Sequence, residues 1–269
     1  MSQGGNQDRR VAFITGASYG VGAATALALA RDGFVLALTA TRSHNLDVVL
    51  ADVANAGGRA IGIELDLRQQ KSIEDAVVSA IEKLGQIDVL VNNAGANLRR
   101  KAVDVTREEW DGLISTNLTG TFFLTQQVGR HLINRRAGGR IITVSSAHAL
   151  VGAAERSAYG ITKAALIQMT RMLAVEWADH GIRVNAMAPG RLDTASPSRA
   201  GTGSDKSYMD AMLKRIPLHR LATAEEVAGA VAFLAGPSAA SITGHTIVMD
   251  GGLSDYLTAL DHSRHHTFE

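Results

Sequence analysis

Short apolar runs alternate with longer amphipathic segments along most of this 269-residue chain. The apolar runs have the length of buried strands, whereas apolar positions in the segments between them recur with the period of a helix. The predicted strands are Val11–Thr15, Phe34–Thr39, Ala60–Leu65, Ile87–Val91, Arg140–Ser145, Ile182–Ala188 and Thr246–Met249. The predicted helices are Val21–Asp32, Asn45–Ala56, Ser72–Leu84, Arg107–Arg136 with a break near Asn117, Ser157–His180 and Ala224–Ala235.

Strands that are apolar on both faces need helices on both faces of their sheet. We therefore predict an α/β fold with one domain, residues 10–252, built as a Rossmann-like, doubly wound parallel sheet of about seven strands. The glycines that directly follow predicted helices are expected to end them in a left-handed conformation; these are Gly33, Gly57 and Gly85. Residues 1–9 are predicted to be a flexible N-terminus, and residues 253–269 a C-terminal tail without a regular element.

Composition and charge exclude several classes of function. The chain is 46% hydrophobic and 20% charged, which is ordinary for a globular protein with a sizeable core. A net charge of +1 gives no indication of a nucleic-acid or membrane partner. The sequence has no cysteine, so disulfides, thiolate metal sites and cysteine nucleophiles are excluded. This is compatible with a reducing compartment, and a cytoplasmic location is expected.

Two other features have plain explanations. The uncharged run Val11–Ala30 resembles a signal peptide or a membrane span only loosely, because its glycines make its first half weakly apolar and poorly helical. In the tail, His262, His265 and His266 have no carboxylate pattern beside them, so a solvated tail is predicted there and no metal site.

The segment Thr15–Gly22, with the sequence TGASYGVG, joins the first predicted strand to the first predicted helix. Glycines at such a junction permit a tight turn, a close approach of the backbone to a pyrophosphate, and close packing of helix on sheet. The helix N-terminus then offers free N–H groups and a positive dipole to phosphates. The spacing G-x-x-x-G-x-G predicts a dinucleotide-binding turn, and a strand–helix turn without a ligand is the alternative.

Further motifs follow this turn in a fixed order. They are Asn92-Asn93-Ala94-Gly95 after the fourth predicted strand, Asn117, Ser146 after the fifth strand, Tyr159 with Lys163 one helical turn later, Pro189-Gly190 after the sixth strand, and the run Arg215–Gly252. Together with the glycine turn, they resemble the short-chain dehydrogenase/reductase family over residues 9–252. The resemblance implies an NAD(P)(H)-dependent oxidoreductase that interconverts a carbonyl and a secondary alcohol by hydride transfer.

The side chains of Ser146, Tyr159 and Lys163 suit this chemistry. Carbonyl reduction needs a proton donor with a pKa near the working pH, and a tyrosine phenol starts near 10. The Lys163 ammonium, on the same helix face, would favour the phenolate, while Ser146 could hydrogen-bond the substrate oxygen. By resemblance, Tyr159 is the acid/base, Lys163 also binds the nicotinamide ribose, and Asn117 holds a proton-relaying water. Taken singly, each residue has a structural alternative: a half-buried aromatic, a solvated amine, a helix cap or a helix-break residue.

The resemblance also implies a set of cofactor-binding residues. They are Gly16, Ser18, Tyr19, Gly20, Val21, Gly22, Thr41, Arg42, Asp66, Leu67, Asn93, Ala94, Gly95, Tyr159, Lys163, Pro189, Gly190 and Thr194. An acid at the end of the second strand would select NAD, but this chain has Ala40 there, followed by Thr41, Arg42 and Ser43. NADP(H) is therefore favoured over NAD(H). Tyr19 is less consistent with NADP(H), because relatives that use NADP often have a basic residue at that position.

The substrate is less well defined by the sequence. The candidate substrate residues Arg99, His148 and Arg191 are predicted to lie near the carboxyl ends of strands. The basic residues near Asn97–Lys101 resemble relatives that act on sugar acids such as gluconate, and much of the remaining chain resembles 3-oxoacyl-carrier-protein reductases. Alternatively, the arginines face solvent or a neighbouring subunit, and His148 only lines the pocket. The segment Ala195–Ser207 is predicted to be either a mobile loop or part of a substrate lid over residues 195–215.

Two other classes of protein have part of this pattern. A methyltransferase could have the glycine turn and the sheet, but it would not need Ser146, Tyr159 and Lys163 at these positions. A non-catalytic NADP(H)-binding regulator of the same fold stays open, although such a protein could lose the tyrosine or the lysine. The expected partner is a small-molecule carbonyl or alcohol, with no nucleic acid and no membrane. Because family members pair through the helices at Arg107–Arg136 and Ser157–His180, a homotetramer is also expected.

Overall fold

The computed structural model describes residues 9–193 and 206–255. Its strands are β1 (Val11–Ile14), β2 (Val35–Ala40), β3 (Arg59–Glu64), β4 (Val89–Asn92), β5 (Gly139–Val144), β6 (Ile182–Pro189), β7 (Leu192–Asp193), β8 (Ala222–Thr223) and β9 (Thr246–Met249). Its α-helices are α1 (Gly20–Arg31), α2 (Asp47–Asn55), α3 (Gln70–Leu84), α4 (Arg107–Ile114), α5 (Thr121–Arg135), α6 (Ser157–Glu176), α7 (Lys206–Lys214) and α8 (Ala224–Ala235).

The main sheet of the described chain has seven parallel strands in the order β3-β2-β1-β4-β5-β6-β9. The strand order reverses between β1 and β4, and the crevice at the carboxyl ends of such strands is where open α/β sheets bind ligands. The predicted fold class is confirmed. The glycine turn follows β1, and Asn93–Gly95 follow β4, whose last residue is Asn92, so both segments border this crevice.

Helices cover both faces of the sheet. On one face α3, α5 and α6 bury a core that includes Phe13, Leu90, Leu124, Leu166 and Val184. On the other face α1, α2 and α8 bury a second core that includes Ile14, Leu29, Leu36, Val53 and Leu234. Because the strands contribute apolar side chains to both cores, their sequences lack the polar alternation of a half-exposed sheet.

The predicted long helix Arg107–Arg136 is interrupted as expected near Asn117. Residues Ser115–Gly120 form a π-helix between α4 and α5. This stretch passes the loop after β3 so closely that a Cβ on Gly120 would lie 2.0 Å from the carbonyl oxygen of Leu67. A glycine is therefore required where the π-helix meets this loop.

Most other boundaries agree with the sequence to within two residues, and the largest difference lies at a helix end. The predicted helix Asn45–Ala56 is preceded by the 3₁₀ turn Ser43–Leu46, and the predicted helix Ser157–His180 ends as an α-helix at Glu176, followed by the 3₁₀ turn Ala178–His180. Short 3₁₀ turns are common at the ends of α-helices, and periodicity does not separate the two. The three glycines expected to end helices all have positive φ: +80° at Gly33, +77° at Gly57 and +86° at Gly85.

Several predicted features lie wholly or mainly outside the described residues: the N-terminus up to residue 8, the greater part of the lid segment Ala195–Ser207, Thr194, and the tail from residue 256. Within the lid range 195–215, residues 206–214 form α7. None of the helices in the described ranges is long and apolar enough to cross a membrane.

Candidate active site

The glycine turn opens directly onto the N-terminus of α1. Gly16 and Gly20 have φ values of +61° and +59°, which side chains rarely adopt. A Cβ on Gly22 would lie 2.2 Å from the Gly16 carbonyl oxygen, and a Cβ on Gly16 would lie 2.9 Å from the Ala94 Cα. No side chain caps α1 at Tyr19, so the first N–H groups of this helix are available to an anion. This turn fits the pyrophosphate of a dinucleotide, and the close contacts of Gly16 and Gly22 also serve the protein's own packing.

Thr15 and Asn93 fasten the turn after β1 to the turn after β4. The Thr15 hydroxyl oxygen accepts hydrogen bonds from the backbone N–H groups of Asn93 and Ala94, both at 2.9 Å. In return, the Asn93 side-chain amide donates to the carbonyl oxygens of Thr15 and Gly16, at 3.0 and 2.9 Å. Asn93 was predicted to bind the cofactor, whereas Thr15 was not among the predicted site residues. Its position directly before the first glycine was the available indication.

Lys163 is buried on α6, one turn after Tyr159. Its Nζ donates to the Val144 carbonyl oxygen at 2.9 Å and lies 5.8 Å from the centroid of the Tyr159 ring. Burial lowers the pKa of Lys163 to about 8, because the charged form loses its hydration. The Ser145 hydroxyl donates to the Lys163 backbone carbonyl at 2.7 Å and ties α6 to the end of β5. Sequence reasoning missed Ser145, although it directly precedes the predicted Ser146.

Ser146 and Tyr159 are connected through His148. Ser146 follows β5, and its hydroxyl oxygen accepts the backbone N–H of His148 at 3.2 Å. The half-buried His148 ring packs edge-on against the Tyr159 ring, with 5.9 Å between centroids and 79° between planes. Burial, and secondarily the positive charge of Arg156, lowers the pKa of His148 and favours its neutral form. The structure thus brings together Ser146, Tyr159 and Lys163, which the sequence predicted, and places His148 beside them.

Asn117 is completely buried in the π-helix. Its Oδ1 accepts the Ala96 N–H at 2.7 Å, and its Nδ2 donates to the Ala96 carbonyl at 2.9 Å and to the Thr162 hydroxyl at 3.1 Å. The Thr162 hydroxyl in turn donates to the Tyr159 carbonyl at 2.8 Å. Asn117 therefore joins the loop after β4 to the helix that bears Tyr159, and its predicted water-holding role stays a prediction.

Asp66, Leu67 and Gly190, which were also predicted to bind the cofactor, follow the carboxyl ends of β3 and β6. The Asp66 carboxylate accepts hydrogen bonds from the side chain of Arg68, which lower the pKa of Asp66, and Leu67 beside it is buried. After β6, a Cβ on Gly190 would lie 2.8 Å from the Asp250 Cα, so only glycine fits there.

The end of β2 differs from the sequence-based picture in one respect. Thr41 and Arg42 are exposed. However, the backbone N–H and the hydroxyl of Ser43 both donate to one oxygen of the Glu64 carboxylate, at 2.9 and 3.0 Å. Sequence reasoning missed Glu64 because it belongs to β3. Only the register of the parallel pair, in which Glu64 lies opposite Ala40, shows that it reaches this place.

The arginines considered as ligands of an acidic substrate contact other side chains of the protein. Arg99 forms an ion pair with Glu155 at 2.6 Å, and Arg100 forms one with Glu109. Arg191 is half-buried, and one of its N–H groups points to the sulfur of Met212 at 3.7 Å. The ion pairs neutralise two of the candidate cations locally. Within residues 9–193 and 206–255, no cluster of His, Asp or Glu side chains is arranged to hold a metal ion.

Comparison with known proteins agrees with this arrangement. A family model described as enoyl-(acyl carrier protein) reductase matches residues 16–254. A 3-oxoacyl-[acyl-carrier-protein] reductase from Synechocystis is 36% identical over 246 residues, which are 91% of this chain and 96% of the relative. Gluconate 5-dehydrogenase from Gluconobacter oxydans is 32% identical over 243 residues, which are 90% of this chain and 94% of the relative.

A solved structure extends the similarity to three dimensions. The crystal structure of a variant actinorhodin polyketide ketoreductase with NADPH has a TM-score of 0.87 and 32% identity, and the match covers 93% of this chain and 99% of the other. These relatives are named as reductases or dehydrogenases, which favours an enzyme over a non-catalytic regulator. Because the matches span nearly the whole chain, the protein belongs to the short-chain dehydrogenase/reductase family and is an oxidoreductase.

Proposed function

We propose that this oxidoreductase interconverts a carbonyl and a secondary alcohol with NAD(P)(H), and that Tyr159 is its acid/base. The observation that supports this most directly is the buried ammonium of Lys163, 5.8 Å from the Tyr159 ring. A cation held at that distance, away from water, favours the phenolate and so makes the tyrosine proton easier to transfer. Ser146 follows β5, its hydroxyl oxygen accepts the backbone N–H of His148, and the His148 ring packs against the Tyr159 ring.

Each side chain then has a definite part. When bound, the nicotinamide supplies or accepts the hydride. Tyr159 gives its phenolic proton to the carbonyl oxygen in reduction and takes it back in oxidation. The Ser146 hydroxyl donates to the same oxygen and orients the substrate. Lys163 favours the phenolate and binds the nicotinamide ribose, and Asn117 fixes the loop at Ala96 against α6 and supports proton relay.

For the cofactor, we propose binding along the crevice from the glycine turn to Lys163. The free N–H groups at the start of α1 would hold the pyrophosphate, and Asn93, Ala94 and Gly95 would flank it, with Pro189-Gly190 on the far side. We propose that NADP(H) is favoured, because Ala40 leaves β2 without a terminal acid and Arg42 is exposed beside it. The NADPH named in the actinorhodin ketoreductase structure is consistent with this preference.

The substrate is proposed as a small carbonyl or alcohol compound, with the oxoacyl and sugar-acid classes of the relatives as the first to test. The ion pairs of Arg99 and Arg100 give an acidic substrate no more support than a neutral one. A panel of ketones, oxoacyl thioesters and polyols, read by the absorbance of reduced cofactor, would identify the class.

We also propose that the protein forms a homo-oligomer, a tetramer in line with the resemblance.

Replacement of Tyr159 tests the proposal. Tyr159→Phe removes only the hydroxyl, so kcat should fall by about a hundredfold or more, while the Kd for NADPH changes by no more than a few-fold. Lys163→Met should impair both quantities, because the lysine acts on the tyrosine and on the ribose. Retention of more than about a tenth of the wild-type kcat in Tyr159→Phe would show that another group is the acid.

A further inference from the structure

The carboxylate of Glu64 lies at the end of β2, although it belongs to β3. Glu64 is the parallel partner of Ala40, and the N–H of the next residue, Leu65, donates to the Ala40 carbonyl at 2.8 Å. Directly beyond Ala40, the Ser43 N–H and hydroxyl both donate to Glu64 Oε1, at 2.9 and 3.0 Å. The neighbouring strand thus supplies the negative charge that β2 itself lacks.

The position matters because the end of the second strand is where this fold receives the adenosine ribose of a dinucleotide. Thr41, Arg42 and Ser43 are the groups expected to meet a 2′-phosphate there. In the structure, both donors of Ser43 are already engaged by a carboxylate. The hydrogen bonds from Ser43, with His44 and Arg42 nearby, hold the pKa of Glu64 below its usual range, so the side chain is an anion at neutral pH.

We infer that Glu64 is a specificity-determining residue for the cofactor: its carboxylate weakens binding of the 2′-phosphate of NADP(H) relative to the 2′-hydroxyl of NAD(H). This inference rests on the proposed dinucleotide site. The phosphate meets like-charge repulsion from Glu64 and competes with it for the Ser43 donors. Arg42 acts in the opposite sense, since it is exposed and forms no ion pair with any residue in the described ranges. The preference for NADP(H) is therefore the balance of these two side chains.

A purely structural role for Glu64 makes a different prediction. If the carboxylate only stabilised the turn that begins at Ser43, its loss would lower the stability of the protein and affect both cofactors alike. The measurement must therefore be the ratio of the two dissociation constants, with thermal stability recorded beside it. This ratio is insensitive to a change in the fraction of folded protein.

The experiment is a fluorescence titration of NADPH and NADH with the full-length wild type and three variants. Glu64→Gln keeps the size of the side chain and an acceptor for Ser43, so it removes the charge alone. Glu64→Ala also frees the Ser43 donors. Glu82→Gln is the matched control, because it also removes one exposed carboxylate. Glu82 lies near the C-terminus of α3, which precedes the amino end of β4 and not the carboxyl ends of the strands.

In Glu64→Gln the Kd for NADPH should fall by about fivefold, because a like charge beside the proposed position of the 2′-phosphate is removed, while the Kd for NADH stays within twofold. Glu64→Ala should tighten NADPH binding at least as much, and Glu82→Gln should leave the ratio unchanged. A ratio that moves by less than twofold in both Glu64 variants, with binding intact, overturns the inference alone. If the wild type binds neither cofactor, the proposed function and this inference fall together.

Discussion

Lys163 is a buried cation whose charge has an energetic cost. Its pKa of about 8 in the folded protein lies below the value of about 10.4 expected in the unfolded chain. Below pH 8 both states are protonated and the folded state bears the full penalty of burial, about 3 kcal/mol. Between pH 8 and 10.4 the folded protein loses the proton while the unfolded chain keeps it, so the penalty is relieved as the pH rises.

The relief of this penalty as Lys163 loses its proton leads to a measurable pH dependence of stability. From pH 8 to 9.5, the free energy of unfolding of the wild type should rise by about 1.5 kcal/mol relative to Lys163→Met, which has no titrating group there. Urea unfolding of both cofactor-free proteins at each pH gives the difference. A relative change below about 0.5 kcal/mol would mean that the folded-state pKa of Lys163 is near its ordinary value.

At the scale of elements, the active site depends on how closely α6 approaches the Ala147–Ala149 turn that follows Ser146. A Cβ on Gly160 would lie 2.8 Å from the carbonyl oxygen of His148, a backbone atom that cannot move alone. Gly160 directly follows Tyr159, so this contact sets the distance between the helix that bears the tyrosine and the turn that bears the serine. Gly160 is thus a positioning residue for Ser146 and Tyr159.

Gly160→Ala should separate the two elements by a few tenths of an ångström or more. We expect kcat to fall by about tenfold or more, since small misplacements of reacting groups are costly, while the Kd for NADPH remains within about threefold. Gly229→Ala in α8 is the matched control, because a Cβ there meets nothing within 4 Å. Gly229→Ala should unfold near the wild-type temperature, whereas Gly160→Ala should lower it by a few degrees, because the added Cβ overpacks a close backbone contact. Equal kcat values in the two would remove the positioning role.

The elements themselves were largely predictable from sequence because their patterns are local. The helix Ala224–Ala235 and the strand Thr246–Met249 have the predicted boundaries. The glycine turn, Ser146, Tyr159 and Lys163 could be predicted because each has a fixed place beside one element. The contacts that position them join residues far apart in the chain, as in the bond from Ser43 to Glu64 and the approach of Gly160 to His148. Such pairs depend on strand register and helix packing, which no local pattern encodes.

At the scale of the whole molecule, α5 and α6 expose large apolar side chains. Phe122 and Phe123 are 38% and 37% exposed, and Met172 and Val175 are 60% and 82% exposed. Exposed apolar groups of this size are commonly covered by a partner. These helices are the ones through which the resemblance implies pairing of subunits. The lid at Ala195–Ser207 and the cytoplasmic location stay predictions.

We expect sedimentation of the wild type at micromolar concentration to give a mass several times that of the 28.4 kDa chain. Met172→Lys combined with Val175→Lys should shift the distribution toward smaller species, because two charges would have to be buried at the contact. Lys83→Glu, an exposed charge change on α3, serves as the control. A wild type that sediments as a single chain would contradict the predicted assembly.

The reciprocal bonds between Thr15 and Asn93 have a consequence for the kinetics of binding. They join the turns after β1 and β4 through four hydrogen bonds before any ligand arrives. The floor of the crevice is therefore already assembled, and little entropy remains to be lost there when a dinucleotide docks. Binding of the cofactor to these two turns should therefore need no slow rearrangement. The observed association rate should grow linearly with cofactor concentration and reach no plateau that such a rearrangement would cause.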